Sequence, residues 1–437
     1  MTPTSYGLIG IAVLLVMLFL RIPVAFCMFL VGFIGIWALN GWNAAMGLLS
    51  SESFTLASNP ELVVIPLFIL MGNIATESGL SRKLYEAAYA WIGHWRGGLA
   101  SATVIGSGGF AALSGSSVAS ALTMGRVSLG EMERFNYSPR LSCGSVAAGG
   151  TLGILIPPST GFVLYAILTQ QSIGRLFLAG VLPGLLLMAL FISTILILTT
   201  LNPALGPKGP VSTWKERWVA TFGALPLIVL VTLTIGGIYG GFFSVTEAAA
   251  VGAFLSILYG LFTRHLTLDA FLRALKDSVA TTAVVMLILI AAHLLGPFLA
   301  LSDIPGLVGR MLTALPVGPY GVLLMILVTF LILGCFMEGF AMLVLTMPIF
   351  FPVITSLGFD PIWFGVLVVI MLETGLITPP VGINVFIVKS VAPHVELSEI
   401  FRGVWPFLLS MLALVGLLIL FPQIALLLPN TMMGAAQ

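Results

Sequence analysis

The sequence predicts an all-α polytopic membrane protein of two inverted-topology repeats, each with about five crossings, one re-entrant helical hairpin and one helix broken by a Pro-Pro pair. Three observations predict this class. Of 437 residues, 59% are hydrophobic and 8% are charged, so the chain suits lipid rather than water. Short motifs recur at one fixed shift, and the basic residues of equivalent loops alternate between the repeats.

Apolar stretches of about the length that crosses a bilayer follow one another along the chain. They occupy residues 6–20, 22–39, 62–74, 142–168, 176–201, 221–238, 246–262, 279–301, 363–391 and 404–428. No stretch has the polar length of a soluble domain. We therefore expect no globular receptor for a dilute solute within this sequence.

The chain aligns with itself at a shift of 222 or 223 residues. The motif that ends in Pro157-Pro158 then aligns with the motif that ends in Pro379-Pro380, and Thr123-Met124 aligns with Thr346-Met347. These matches predict two halves, residues 1–215 and 220–437, joined by the polar stretch "NPALGPKGPVSTWKER".

Lys and Arg orient the two halves, because cytoplasmic loops collect basic residues. About five net crossings per half place every Lys and Arg except Arg175 and Arg310 on the cytoplasmic side. Segment 126–140 carries arginines, whereas its equivalent around Phe359-Asp360 carries none; the loop 40–61 has no basic residue, whereas its equivalent 264–276 has several. Inverted halves of this kind are typical of secondary transporters that work by alternating access.

Two apolar stretches, 97–127 and 320–352, do not fit as crossings, because in this topology both ends of each stretch lie on one side. They are interrupted by "GSGGFAALSGSS" and "LGCFMEGF", respectively. Irregular backbone at membrane depth persists only where protein or a water-filled cavity covers it, so we predict re-entrant hairpins whose tips line a site. The alternative is a pair of ordinary helices packed through small residues.

Two amphipathic segments predict arm helices on the membrane surface. In the first, residues 80–96, apolar residues recur at helical spacing opposite Arg82, Lys83 and Glu86. The second, "LTLDAFLRALKD", repeats the pattern. Such arms brace a static scaffold, contact a partner subunit or simply fill the interface.

The predicted helices 139–172 and 361–392 each contain an adjacent proline pair. Proline has no backbone N–H, so the carbonyls four residues before Pro157-Pro158 and Pro379-Pro380 lose their helical partners. A bound cation relieves the cost of such a carbonyl in hydrocarbon, and the half-helix N-termini beyond the breaks present positive dipole ends to an anionic solute. The alternative is a proline kink satisfied by neighbouring Ser and Thr, with no ion.

Hard oxygen ligands suited to Na⁺ gather at these tips and breaks. They are the hydroxyls of Ser114, Ser116, Ser117, Thr151, Thr374 and Thr378 and the amide of Asn384. Glu338 at the second tip and Glu373 before the second break are candidate coupling carboxylates for an ion or a proton, because ionisable groups within a span are costly. For each, the alternative is a carboxylate held by backbone N–H groups at a helix start. Ser244 and Glu247 predict a helix capping box.

Four motifs carry a resemblance to a known family: "SGSSVASALTMG", "GGTLGILIPPST", "GCFMEGF" and "ETGLITPPVGIN". Together they resemble the large, DctM-like membrane subunit of tripartite ATP-independent periplasmic (TRAP) transporters. The resemblance implies an elevator mechanism, in which the two hairpins and two broken helices form a mobile transport domain that slides through a scaffold. It implies sodium-coupled import of an organic acid, a C4-dicarboxylate or similar carboxylate, across the bacterial inner membrane.

The resemblance also implies partners and site residues. The partners are a separate small four-helix membrane subunit and a periplasmic substrate-binding protein, beside membrane lipid; we expect two or more Na⁺ ions, no organic cofactor and no nucleic acid. The residues for a first ion site are Ser114, Gly115, Ser116, Ser117, Thr151 and Gly153, and those for a second are Gly334, Gly339, Thr374, Gly375 and Thr378. We assign the solute to Ser117, Pro157, Pro158, Pro379, Pro380 and Asn384.

Other function classes fit the sequence less well. It contains neither the nucleophile, base or metal spacing of a hydrolase nor a Gly-Lys-Ser/Thr phosphate loop, so we expect no enzyme and no ATP-driven pump. A channel could share inverted repeats, and uptake linked to a sodium gradient separates it from a transporter. The closest alternative is a self-sufficient dicarboxylate:sodium or dicarboxylate:proton symporter that needs no binding protein.

Overall fold

The computed structural model describes residues 2–20 and 22–432, and within these ranges its regular structure is entirely helical. Arg21, counted above among the cytoplasmic basic residues, and Met1 and residues 433–437, the ends of the predicted halves, lie outside the described residues. The predicted fold class is therefore confirmed to this extent: the described chain is all-helical and contains long apolar helices.

The chain up to the polar stretch forms helices α1 to α10. Their bounds are α1 Pro3–Phe19, α2 Val24–Asn40, α3 Trp42–Ser58, α4 Val64–Glu77, α5 Leu80–Ile92, α6 Gly98–Ser114, α7 Ser117–Arg134, α8 Pro139–Leu155, α9 Thr160–Thr169 and α10 Ile173–Leu201. Short 3₁₀ turns at Pro60–Val63 and Pro203–Leu205 precede α4 and follow α10.

The chain beyond it forms helices α11 to α20. Their bounds are α11 Trp214–Tyr239, α12 Val245–Phe262, α13 Leu268–Leu301, α14 Ile304–Thr313, α15 Gly318–Gly334, α16 Gly339–Ser356, α17 Pro361–Ile377, α18 Ile383–Val391, α19 Leu397–Leu420 and α20 Gln423–Met432. Within the described residues, seven helices are long and apolar enough to cross a membrane, or eight if the bent pair α8 and α9 forms one span. A total of about ten crossings requires shorter apolar helices such as α2 and α17 to cross as well.

Helix starts follow local sequence signals. Pro139 and Pro361 occupy the first positions of α8 and α17, where a missing N–H costs nothing. The predicted capping box is confirmed: Glu247 N–H donates to Ser244 Oγ, and the Ser244 N–H donates to the Glu247 carboxylate at 2.8 Å.

Three elements differ from the sequence-based expectation. The prediction of a loop at residues 40–61 is wrong, because most of these residues form α3, which packs on α2 and α13. Glu52 Oε2 lies 2.9 Å from His293 Nδ1 and joins α3 to α13. The prediction that the second arm is a separate helix is also wrong. No Gly or Pro interrupts residues 268–295, so the arm and the following span form one continuous helix, α13. Helix α14 has no counterpart in the expectation.

The helices sort into two packing groups. In one group, α2 packs against α1, α3 and α13, while α4 packs against α12 and α13. In the other, α8 packs against α6, α7, α10 and α19, while α17 packs against α10, α15 and α19. The groups meet where α4 and α5 touch α6 and where α13 and α14 touch α16. Both hairpins and both broken helices belong to one group with α10 and α19, because α9 packs on α10 and α17, and α18 packs on α7 and α8. The second hairpin helix α16 packs on α9 and α17 of this group and also on α13 and α14 of the other.

Candidate functional site

The first tip joins α6 to α7 through Gly115 and Ser116 alone. Gly115 has φ +57°, and a Cβ there would lie 2.8 Å from the carbonyl oxygen of Pro158, so both conformation and space require glycine. Ser116 is the N-cap of α7 and accepts a hydrogen bond from the Ala119 N–H at 3.4 Å. Thr160 Oγ1 donates to the Gly115 carbonyl at 2.7 Å, which fixes the first tip onto the first break.

The second tip, between α15 and α16, carries an equivalent cap. Glu338 is the N-cap of α16, and its Oε2 accepts a hydrogen bond from the Ala341 N–H at 3.2 Å. Glu338 and Ala341 stand 222 residues after Ser116 and Ala119, so the two tips place a cap at the same point of the predicted repeat. Glu338 therefore caps a helix start, which was the alternative to its prediction as a coupling carboxylate.

The breaks lie between helices and not inside them. α8 ends at Leu155, before the proline pair, and α9 begins at Thr160 with a bend of 41° between the two helices. α17 ends at Ile377 and α18 begins at Ile383, and the peptide bond within each proline pair is cis. Each helix terminates before its prolines, as expected for a broken helix, so the alternative of a proline kink within a continuous helix is wrong.

The threonines at the breaks use their hydrogens locally. Thr151 Oγ1 donates to the Ala148 carbonyl, Thr374 Oγ1 to Ile370 and Thr378 Oγ1 to Thr374, each at 2.6 Å. Each hydroxyl hydrogen is thereby occupied, and the oxygen lone pairs stay available as acceptors. Ser114 behaves differently, since its Oγ lies 3.0 Å from the Oγ of Ser120. A cation could use the threonine oxygens without breaking these bonds.

Each helix before a break presses a glycine onto a hairpin. A Cβ on Gly153 would lie 2.5 Å from the Ser116 carbonyl oxygen and 2.8 Å from the Ser117 nitrogen. A Cβ on Gly375 would lie 2.5 Å from the Gly334 Cα. Backbone approaches this close exist only where the residue has no side chain. The structure thus unites Ser116, Ser117 and Gly153 at one place, and Gly334 and Gly375 at another.

The remaining predicted residues occupy different surroundings. Gly339 packs against the side chain of Leu372, not against the broken-helix backbone. Pro157 and Pro158 line a small apolar cavity together with Phe68 and Phe177. Apolar walls do not themselves bind a carboxylate. The side chains that form hydrogen bonds at the first break are those of Ser159 and Thr160. Ser159 caps α9 by accepting a hydrogen bond from the Phe162 N–H.

Two of the buried polar side chains with unused hydrogen-bonding atoms flank the second break. Asn384 is 0% exposed, and neither its Oδ1 nor its Nδ2 has a partner among the described residues. Glu373 is 1% exposed; its Oε2 accepts a hydrogen bond from Ser117 Oγ at 2.6 Å, while its Oε1 has no partner in the described part of the chain. Buried polar atoms are normally satisfied, so atoms of this kind are candidates to bind a ligand.

Sequence reasoning missed several of these contacts. It selected Ser117 and Glu373 separately but not as a pair, because nothing local relates residues so far apart in the chain. It passed over Thr160 and Ser120, which hold the first tip. The signal for Thr160 was present in "PPST", where hydroxyl residues follow the prolines at the start of a half-helix.

A family model named "Tripartite ATP-independent periplasmic transporter, DctM component" matches residues 11–424. A curated relative from Pseudomonas aeruginosa, named C4-dicarboxylate TRAP transporter large permease protein DctM, is 38% identical over 383 residues, which are 87% of this chain and 89% of that protein. A second, from Vibrio cholerae, is named sialic acid TRAP transporter large permease protein SiaM. It is 31% identical and matches over 100% of both chains.

A solved structure shares the fold. The YdaH transporter of Alcanivorax borkumensis superposes with a TM-score of 0.61, covering 88% of this chain and 90% of that one at 17% sequence identity. At this identity the similarity concerns the arrangement of helices alone.

Proposed function

The chain belongs to the DctM component family of the tripartite ATP-independent periplasmic transporters, and from that premise we propose that it is the sodium-coupled, substrate-translocating subunit of such a system. It is a transporter permease of the inner membrane and not an enzyme. The observation that carries the sodium proposal is the repeated contact of a pre-break glycine with a hairpin, at Gly153 and at Gly375.

The sodium proposal rests on the chemistry gathered at these contacts. At the first, the Ser116 carbonyl meets Gly153 beside the hydroxyl oxygens of the tip, with Thr151 two residues earlier on α8. At the second, Gly334 meets Gly375, which lies between Thr374 and Thr378. Carbonyl and hydroxyl oxygens suit a hard monovalent cation.

The elevator proposal is supported by the two packing groups. One group holds the hairpins and broken helices that carry the candidate sites, and the other holds the helices around α2, α4 and α13. We propose that the first group moves as a transport domain against the second. Inverted halves 1–215 and 220–437 would let that domain expose its site to either side, and the matched caps at Ser116 and Glu338 agree with such a repeat.

The partners and the solute follow from the family. TRAP systems of this type work with a periplasmic binding protein and a small membrane subunit, and we propose both for this chain. The relatives' names cover a C4-dicarboxylate and a sialic acid, so we propose an organic acid as the solute. Asn384, whose buried amide has no partner among the described residues, is the residue we propose to bind its carboxylate. A self-sufficient symporter finds no support among these relatives.

Thermal unfolding of the purified protein in detergent tests the sodium proposal without any need for the solute. Wild type, Ser116→Ala and Thr378→Ala are compared in Na⁺ and in choline at equal ionic strength. A cation that binds only the folded state at a hundredfold excess over its Kd stabilises by about 2.7 kcal/mol. We expect a sodium-specific stabilisation in wild type that both variants weaken.

Two matched variants control for the loss of a hydroxyl. Ser128 and Thr346 are buried, and their hydroxyls donate to carbonyls of their own hairpin helices, at 2.7 Å and 2.6 Å. Ser128→Ala and Thr346→Ala should keep the full sodium response. Equal stability in Na⁺ and choline for wild type would exclude sodium binding at these sites. The tripartite proposal is tested separately by C4-dicarboxylate uptake into proteoliposomes containing both membrane subunits, which should require the binding protein.

A further inference from the structure

One buried hydrogen bond joins the first predicted half to the second inside the candidate transport domain. Ser117 on α7 donates from its Oγ to the Oε2 of Glu373 on α17 at 2.6 Å. Both residues are 1% exposed, so water does not compete for this contact. Glu373 Oε1 has no protein partner within the described residues, so the bond from Ser117 is what orients the carboxyl group.

The internal repeat does not by itself produce this contact. A shift of 222 residues relates Glu373 to Thr151 and Ser117 to Gly339. The Thr151 hydroxyl donates to a carbonyl of its own helix, and Gly339 has no side chain that could form the equivalent hydrogen bond. The bond therefore belongs to this pair specifically.

The bond connects the two places where a glycine meets a hairpin. Ser117 directly follows Ser116, whose carbonyl lies against Gly153. Glu373 stands two residues before Gly375, which lies against Gly334. A cation that drew in the backbone at one of these places would move an end of the hydrogen bond, and through it the helix end at the other place.

We infer that the hydrogen bond between Ser117 and Glu373 couples the two candidate cation sites, so that an ion bound at either site favours binding at the other. This inference rests on the proposed sodium coupling. Ser117 and Glu373 act as positioning residues: occupation of the first site fixes the tip, the tip fixes the carboxyl group, and the carboxyl group fixes the last turn of α17. Such coupling is reciprocal and is typically about 5- to 150-fold in affinity.

A sodium titration of thermal stability tests the coupling. Wild type should give a Hill coefficient above one. Ser117→Ala removes the donor, and Glu373→Met removes the acceptor at similar volume, so both should bring the Hill coefficient close to one. Glu373→Gln keeps a carbonyl oxygen that can accept from Ser117 and should retain the cooperativity. Ser128→Ala, a buried serine on the same helix with a local bond, is the control.

The outcomes separate this inference from the function on which it rests. Loss of cooperativity in Ser117→Ala but not in Glu373→Met would make Ser117 an ion ligand only and overturn the coupling. Cooperativity kept in both variants would overturn it as well. Absence of any sodium effect in wild type would remove the sodium proposal and the coupling together. If Glu373→Met does not fold, Glu373→Ala takes its place in the same titration.

Discussion

The substitution Gly153→Ala should displace the first hairpin tip from the first broken helix. The added Cβ would stand 2.5 Å from the Ser116 carbonyl oxygen, 2.7 Å from its carbonyl carbon and 2.8 Å from the Ser117 nitrogen. All three are backbone atoms, so no side chain can rotate away. To regain an ordinary 3.4 Å contact the tip must retreat by about 0.9 Å from α8.

The energetic cost follows from two opposing terms. Overpacking of this kind costs about 1–3 kcal/mol, whereas Gly→Ala inside a helix gains about 0.4–1 kcal/mol through the unfolded state. The net destabilisation should therefore be about 0–2.6 kcal/mol. The effect on sodium should be larger than this figure suggests, because ligand distances in a metal site are tolerated only within about 0.2 Å. We expect the sodium-dependent stabilisation to disappear.

Gly130→Ala provides the matched control for this prediction. Gly130 lies within α7, the helix that follows the same tip, and a Cβ there would meet nothing within 4 Å. Thermal unfolding in Na⁺ and in choline should show Gly130→Ala with wild-type sodium response and unchanged or slightly raised stability. The reasoning is refuted if Gly153→Ala shows the same two results as Gly130→Ala.

Three further predictions concern other parts of the molecule. Gly375→Ala, whose Cβ would meet the backbone of Gly334, should also abolish the sodium-dependent stabilisation, whereas Gly416→Ala on the open surface of α19 should not. Equal sodium responses in the two variants would show that the contact between Gly375 and Gly334 does not matter for sodium binding. Asn384→Leu removes a buried amide that has no partner in the described part of the chain, so unfolding in sodium-free detergent should show a gain in stability of about 1–3 kcal/mol while solute uptake is lost. Lower stability would show that the amide is satisfied. Ser244→Ala removes an N-cap and should cost about 0.5–2 kcal/mol in thermal unfolding with an unchanged sodium response; no change in stability would contradict the capping box.

Much of the architecture is readable from short-range chemistry. The breaks at residues 155–160 and 377–383 lie where proline pairs deny the helix its N–H groups. The first tip lies at Gly115, where "SGSS" combines a left-handed glycine with a capping serine. These features depend on residues within one or two turns of each other, so the sequence alone predicts them.

Elements with weak local signals were decided by tertiary contacts. α3 carries polar residues and no basic ones, which reads as a loop, yet it packs on α2 and α13 and pairs Glu52 with His293. The junction of the second arm with its span in α13 is held by α4: Arg273 contacts Glu77 at 2.8 Å, and Asn73 Nδ2 donates to Ser278 at 2.9 Å. Packing of this kind overrides local preference.

Apolar composition, proline and helix caps act locally, so the sequence alone predicts a helical membrane protein, the places where its helices break and the side chains near those breaks. The contacts of those side chains depend on tertiary packing. Ser117 and Glu373 are separated by 256 residues in the chain. The need for glycine at positions 153 and 375 is apparent only from the hairpin backbone that each of them contacts. Contacts between distant segments depend on how whole helices pack, and that arrangement is a property of the entire fold.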